Sequence, residues 1–255
     1  MRKFGFVYLR DLTIALSVKE LKSKYKSATL GFLWVLLNPL LQMLALSLVF
    51  TFFVKIEINN YPVFVFSGLL PWTFFALSLQ TGTTSLINNR EIIKKTYFPR
   101  ELLPISSVLA HLFAFIPAIL LLLVFVLVTQ GLSFSIFLLI PLIILQTLLL
   151  ISLSLFLSSL DIYYRDVSYL LQALLVIWFY ITPVFYSISF VPQKYLGFYI
   201  INPMVGIISS YQSIFLNTPL PSLTAVAVSV VETLLFAVIG VFVFRKRSAY
   251  FADWI

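Results

Sequence analysis

The chain has 255 residues, 61% of them hydrophobic and 10% charged, with a formal net charge of +8 and no cysteine. A soluble domain carries an apolar share nearer half, so this composition is that of an integral membrane protein, and without cysteine it has no disulfide, thiolate metal site or thiol nucleophile. The basic excess does not indicate nucleic acid, because the Lys and Arg residues sit at the ends of apolar runs instead of forming a patch on a polar fold.

The opening arm, MRKFGFVYLRDLTIALSVKELKSKYK, is too charged and too long ahead of the first apolar run for a cleaved signal peptide. Within it Ile14, Val18, Leu21 and Tyr25 fall at i, i+4, i+7 and i+11, with Lys19, Lys22, Lys24 and Lys26 beside or opposite them. That spacing predicts an amphipathic helix lying on the membrane surface over 1–29. A basic anchor that only sets topology is the other reading.

Six apolar runs then reach the length of about twenty residues that crosses about 30 Å of hydrocarbon. They are Leu30–Val54, Pro62–Ile87, Ile105–Thr129, Phe134–Leu160, Val167–Tyr186 and Leu223–Phe244. Each must be a helix, because lipid leaves no other partner for the backbone. The expected fold is therefore an all-α membrane protein of six transmembrane helices. Pro39 in span one and Pro183 in span five should kink their helices and free carbonyls toward a cavity.

Fifteen of the 17 Lys and Arg residues lie in the arm, the loop 88–104, the turn around Arg165 and the tail 245–255. Only Lys55 and Lys194 fall on the other side, which places both termini in the cytoplasm. In the loop, Glu91 lies where a helix dipole favours an anion and Lys94 and Lys95 where it favours cations, after Asn88 or Asn89 as N-cap. Pro99 ends this helix of about two turns, whose Ile92 and Ile93 are available to the membrane or a neighbouring span. A topology anchor with a solvated turn is the plainer alternative.

The segment 188–222 has one charge, Lys194, and prolines at 192, 203, 219 and 221. Its piece Met204–Leu216 has thirteen residues, too few to span, and reads as a re-entrant or interfacial helix on the outer side.

Four stretches carry a family resemblance: KSKYKSATLGFLWVLLNPLL, NREIIKKTYFPRELLPISSVL, YYRDVSYLLQALLVIWFYITPVFYS and INPMVGIISSYQSIF. In this order they resemble the membrane (permease) subunit of ABC-2 type polysaccharide exporters, the family of O-antigen, capsule and teichoic-acid export. The resemblance implies a homodimer of six-span subunits in the bacterial inner membrane, paired with two ATPase subunits. Such a complex moves a lipid-linked polysaccharide outward, as in lipopolysaccharide biosynthesis, with ATP and Mg bound by the partner and no cofactor in this chain. It also implies short external helices after span five, which cap the pathway.

The residues are compatible with that expectation. No Gly-x-x-x-x-Gly-Lys-Ser/Thr occurs, so energy must come from another chain or from an ion gradient. An ion-coupled transporter would place ionisable groups in the bundle, and the candidates are Glu232 and His111. A membrane-embedded glycan or lipid transferase would need a nucleophile and base or a metal cluster, which one His and no Cys do not supply. Few acidic side chains stand at span mouths to form a channel ring. Arg90, Glu91, Lys94, Lys95, Arg100 and Glu101 are the expected ATPase-coupling residues of the loop. Asp161, Arg165 and Asp166 are read as an ion-paired turn that touches the same partner.

Aromatics make up 17% of the chain. Sugar rings present apolar C–H faces that pack on aromatic rings, so an aromatic path can hold a glycan without gripping one position. The resemblance places the pathway beside spans one and five, which selects Trp34, Trp178, Phe179 and Tyr180. Interfacial anchoring and lipid contact are the ordinary roles of the same residue types.

Overall fold

The structure, a computed structural model, describes residues 5–25, 29–131, 133–248 and 250–254 and is helical, with no strand among them. Helix α1 spans Phe6–Tyr25. A 3-10 turn at Gly31–Leu33 leads into α2, Trp34–Leu48, which continues as a π-helical stretch, Val49–Phe53. Then follow α3 (Tyr61–Asn88), α4 (Arg90–Lys95), α5 (Leu102–Thr129), α6 (Leu139–Asp161, after a 3-10 turn at Phe134–Leu138) and α7 (Asp166–Ile181). The short α8 (Gln193–Ile200) and α9 (Pro203–Leu216) precede α10 (Leu223–Ser248) and α11 (Phe251–Trp254). The spans built on α2, α3, α5, α6 and α10 are each long and apolar enough to cross a membrane.

The fifth expected crossing differs. Instead of reaching Tyr186, α7 stops at Ile181 after 16 residues, a rise of about 24 Å against about 30 Å of hydrocarbon. Pro183 therefore ends this helix and does not kink it. The chain continues as buried, non-helical Thr182, Pro183 and Val184. Such backbone is tolerated at membrane depth only where protein satisfies it. Here Gln212 of α9 does so, its Nε2 donating to the carbonyls of Pro183 at 2.7 Å and Val184 at 3.3 Å.

Helix α9 has the expected length but a deeper setting than an interfacial helix. All residues from Pro203 to Phe215 are buried, against α3, α6 and α10. Its start is fixed by Asn202, whose Oδ1 accepts the Met204 N–H, and its end by Asn217 in the left-handed region. The neighbouring α8 is the exposed member of the pair. The Tyr199 hydroxyl of α8 meets that of Tyr186 at 2.9 Å, and burial pushes both phenols above their ordinary pKa.

Helix α3 is the axis of the bundle, buried along most of its length and packed on α5, α6 and α9. In lipid no hydrophobic force separates apolar helix faces from tails, so association relies on close packing of small residues. Two glycines show it. A Cβ on Gly82 of α3 would collide with the Ser154 side chain of α6, and one on Gly240 of α10 with the Ser152 carbonyl. By contrast α2 and its π-helical continuation keep Leu41, Leu44, Leu48, Phe52 and Phe53 exposed.

Helix α1 packs on α5 through Leu12, Leu16 and buried Ser17, whose Oγ donates to the Ser106 carbonyl at 3.1 Å. The exposed Ile14 and Val18 lie on another face, left for a membrane surface. Of the stripe and its cations, Lys26 lies outside the described residues, as do the side chains of Lys24 and Tyr25.

Candidate functional site

The basic segments that are far apart in the chain converge on one face. Lys19 Nζ donates to Asn89 Oδ1 at 2.9 Å, Arg100 donates to the Ser248 carbonyl, and the Arg247 guanidinium lies 5.2 Å from the Tyr163 ring. Tyr163 also meets Trp254 at 5.2 Å.

Helix α4 occupies this face as the dipole argument predicts, with Glu91 in its first turn and Lys94 and Lys95 in its last. Ile93 is its inward anchor, in a cluster with Leu86, Phe98, Leu103, Phe244 and Phe251. Arg90, Glu91, Lys94 and Lys95 face out, with Glu91 and Lys95 3.4 Å apart. Asn89 does not cap α4 with its side chain; its Nδ2 donates back to the Ser85 carbonyl and closes α3. Arg100 and Glu101 are half-buried, and Arg100 holds the tail instead of facing outward.

A cleft of about 310 Å³ joins this loop to the turn between α6 and α7. Arg90 and Asn88 line one side, Asp161, Arg165 and Tyr169 the other, and Trp254 comes from the tail. The expected ion-paired turn is not what forms. Asp161 is fully buried, its Oδ1 accepts the Ser168 N–H at 3.1 Å, and Oδ2 has no hydrogen-bond partner. Arg165 and Asp166 are exposed and take part in none of the ion pairs among the described residues. The carboxylate at the end of α6 thus binds the first turn of α7, where backbone N–H groups lack helical partners.

The pathway aromatics separate. Trp178 donates its indole N–H to Asn202 Oδ1 at 2.8 Å and stands edge-on to Phe75 at 5.0 Å. Phe179 packs among Trp72, Tyr180 and Phe185. Both are half-buried, whereas Tyr180 is 62% exposed. Trp34 lies elsewhere, in a cavity of about 600 Å³ between α2, α3 and α5. Pro39, inside α2, lines it too.

This cavity also holds Asn38, Gln42, Thr73 and His111, of which sequence reasoning singled out only His111 as a candidate site. The signal was present in the sequence: two carboxamides four residues apart inside an apolar span share a helix face and need partners that lipid lacks. His111 Nδ1 lies 2.8 Å from the Ser107 carbonyl and 3.4 Å from Thr81 Oγ1. The other ionisable group of the bundle, Glu232 in α10, has a buried Oε2 without a hydrogen-bond partner.

Spanning helices around a buried half-helix, with polar cavities inside and a charged helix displayed at one face, define a multi-span membrane transport subunit. The sequence profile described as ABC-2 type transporter matches residues 11–216, and the chain belongs to that family. Among similar proteins is an O-antigen export system permease protein RfbA of Klebsiella pneumoniae, 33% identical over 255 residues, covering 98% of this chain and 97% of that one. Another of that name, from Myxococcus xanthus, is 35% identical over 246 residues, covering 94% of each. The polysialic acid transport protein KpsM of Escherichia coli is 21% identical, covering 97% of this chain and 98% of that one.

Proposed function

We propose that this chain is the membrane subunit of an ATP-driven exporter that carries a lipid-linked, O-antigen-like polysaccharide outward across the bacterial inner membrane. It works as a homodimer with two copies of a separate ATPase subunit, which binds ATP and Mg. The observation that carries this reading is near full-length similarity to O-antigen export permeases at above 30% identity. The charged face adds physical support: α4 joins two spans, is anchored by Ile93 and turns Arg90, Glu91, Lys94 and Lys95 outward. A partner docked on it pushes on α3 and α5 together. The same face carries most of the positive charge, which makes it cytoplasmic.

The unpartnered Glu232 oxygen favours a second reading, a carrier coupled to an ion gradient. Reconstitution separates the two. The chain should move glycan into vesicles only with the ATPase and ATP present. Transport by this chain alone, driven by a proton or sodium gradient, would reject the exporter assignment.

A further inference from the structure

We infer that the cavity between α2, α3 and α5 is a binding subsite for one neutral sugar unit of the transported glycan, an assignment that rests on the exporter reading. Its volume of about 600 Å³ lies within the range of small-molecule sites, ~300–1,000 Å³. Its polar groups come from three helices: Asn38 and Gln42 of α2, Thr73 of α3 and His111 of α5. Neither carboxamide nor the Thr73 hydroxyl makes a hydrogen bond to any described residue, and Asn38 and Gln42 are exposed on a span. Pro39 adds another acceptor. Lacking an N–H, it leaves the Val35 carbonyl one turn back without its helical donor, and Val35 lines the same cavity.

Hydrocarbon is the wrong occupant, because a lipid tail would leave the Asn38 and Gln42 carboxamides and the Thr73 hydroxyl unsatisfied. An adjoining groove between the same three helices gives the contrast. It has about 380 Å³, is lined by Leu40, Met43, Val63, Phe66, Val124 and other apolar residues, and suits a hydrocarbon chain. The polar lining is thus confined to the region around Pro39. Carboxamides offer both donor and acceptor, and a threonine hydroxyl likewise, which matches the hydroxyls of a sugar. Trp34, half-buried at the cavity, supplies a ring for its C–H groups. No Lys, Arg, Asp or Glu lines the cavity, so a neutral sugar fits it and a diphosphate does not.

The cysteine-free chain allows a direct test in nanodiscs, without the ATPase or export. Asn38→Cys and Thr73→Cys are each exposed to a charged methanethiosulfonate reagent, with Leu41→Cys, 54% exposed and outside the cavity lining, as the lipid-facing control. The probe is oligosaccharide released by mild acid from the surface polysaccharide of the bacterium that makes the protein. Both cavity cysteines should react while Cys at 41 stays silent, and saturating oligosaccharide should slow the reaction about tenfold. Reaction no faster than the control shows a hydrocarbon-filled groove. Oxidative crosslinking of Asn38→Cys between two copies shows a subunit contact. Reaction without protection shows a water-filled vestibule. Any of these three overturns the subsite. Because none requires transport, failure of the exporter reading shows separately, as loss of ATP dependence in the vesicle assay.

Discussion

Trp178 and Asn202 meet through an indole N–H and a carboxamide oxygen 2.8 Å apart, joining the end of α7 to the start of α9. Asn202 uses its other groups there as well: Oδ1 also caps Met204, and Nδ2 donates to Thr182 Oγ1 at 2.9 Å. One side chain therefore fixes the point where a crossing stops short and the chain turns back. Asn202→Ala removes all three bonds and should lower stability by about 2 kcal/mol, read as a lower melting temperature of the purified protein. Trp178→Phe keeps the ring against Phe75 and loses one bond, so about 1 kcal/mol is expected. If Asn202→Ala melts with the native protein, the junction is not a structural tie.

Tyr180 provides the complementary case for the glycan route. It is the exposed aromatic at this end of α7, while Trp178 and Phe179 are held by packing. Tyr180→Ala should slow export several-fold, since an aromatic contact is worth ~0.5–1.5 kcal/mol, with melting unchanged. Trp178→Ala should lower both. Export by Tyr180→Ala at the native rate removes it from the route.

Close packing of α10 on α6 depends on a missing side chain. Gly240→Ala places a methyl group against the Ser152 carbonyl, whereas Gly197→Ala on α8 meets nothing within 4 Å. Overpacking of this kind costs ~1–3 kcal/mol. The first substitution should lower the melting temperature and the second should not. Equal melting of the two would mean that α10 shifts freely on α6.

Replacing Arg90, Lys94 and Lys95 together with Gln tests the outward face of α4. The arm and tail retain positive charge, so orientation and assembly should survive. Export per ATP hydrolysed should fall by an order of magnitude, the scale of a coupling free energy of ~1.4 kcal/mol. Normal export would reduce the loop to a topology anchor.

Labelling with an impermeant maleimide checks the arrangement across the membrane. Lys194→Cys on α8 and Thr218→Cys beyond α9 should react from outside, and Lys95→Cys on α4 only from the cytoplasm. A re-entrant α9 requires both to report the same side; reaction of Lys194→Cys and Thr218→Cys on opposite sides would make it a crossing helix.

Much of the fold is legible in the sequence because lipid removes choices. An apolar run of spanning length has to be a helix, and Pro203 and Asn217 bound a helix too short to cross whatever surrounds it. The helix Arg90–Lys95 follows from its charges and its proline stop. Local signals could not tell whether Pro183 kinks α7 or ends it, since Thr182, Pro183 and Val184 are as apolar as a span needs. Their departure from the helix is supported by Gln212, 28 to 30 residues further on. Asp161 differs from expectation for the same reason: sequence adjacency suggests Arg165 as partner, whereas the folded chain gives it the Ser168 N–H.

Composition, run length and the distribution of Lys and Arg by themselves determined the class, the number of apolar segments, the grouping of the basic segments and the existence of the charged helix. These follow from bilayer thickness, backbone hydrogen bonding and charge, all of which act on local stretches. Only the tertiary structure decided which side chains share a cavity or a cleft: Asn38 with Thr73 and His111, Arg90 with Asp161, Trp178 with Asn202. In lipid, helix association rests on close fit and on polar groups finding partners. That complementarity belongs to pairs of surfaces far apart in the chain, and no single stretch encodes it.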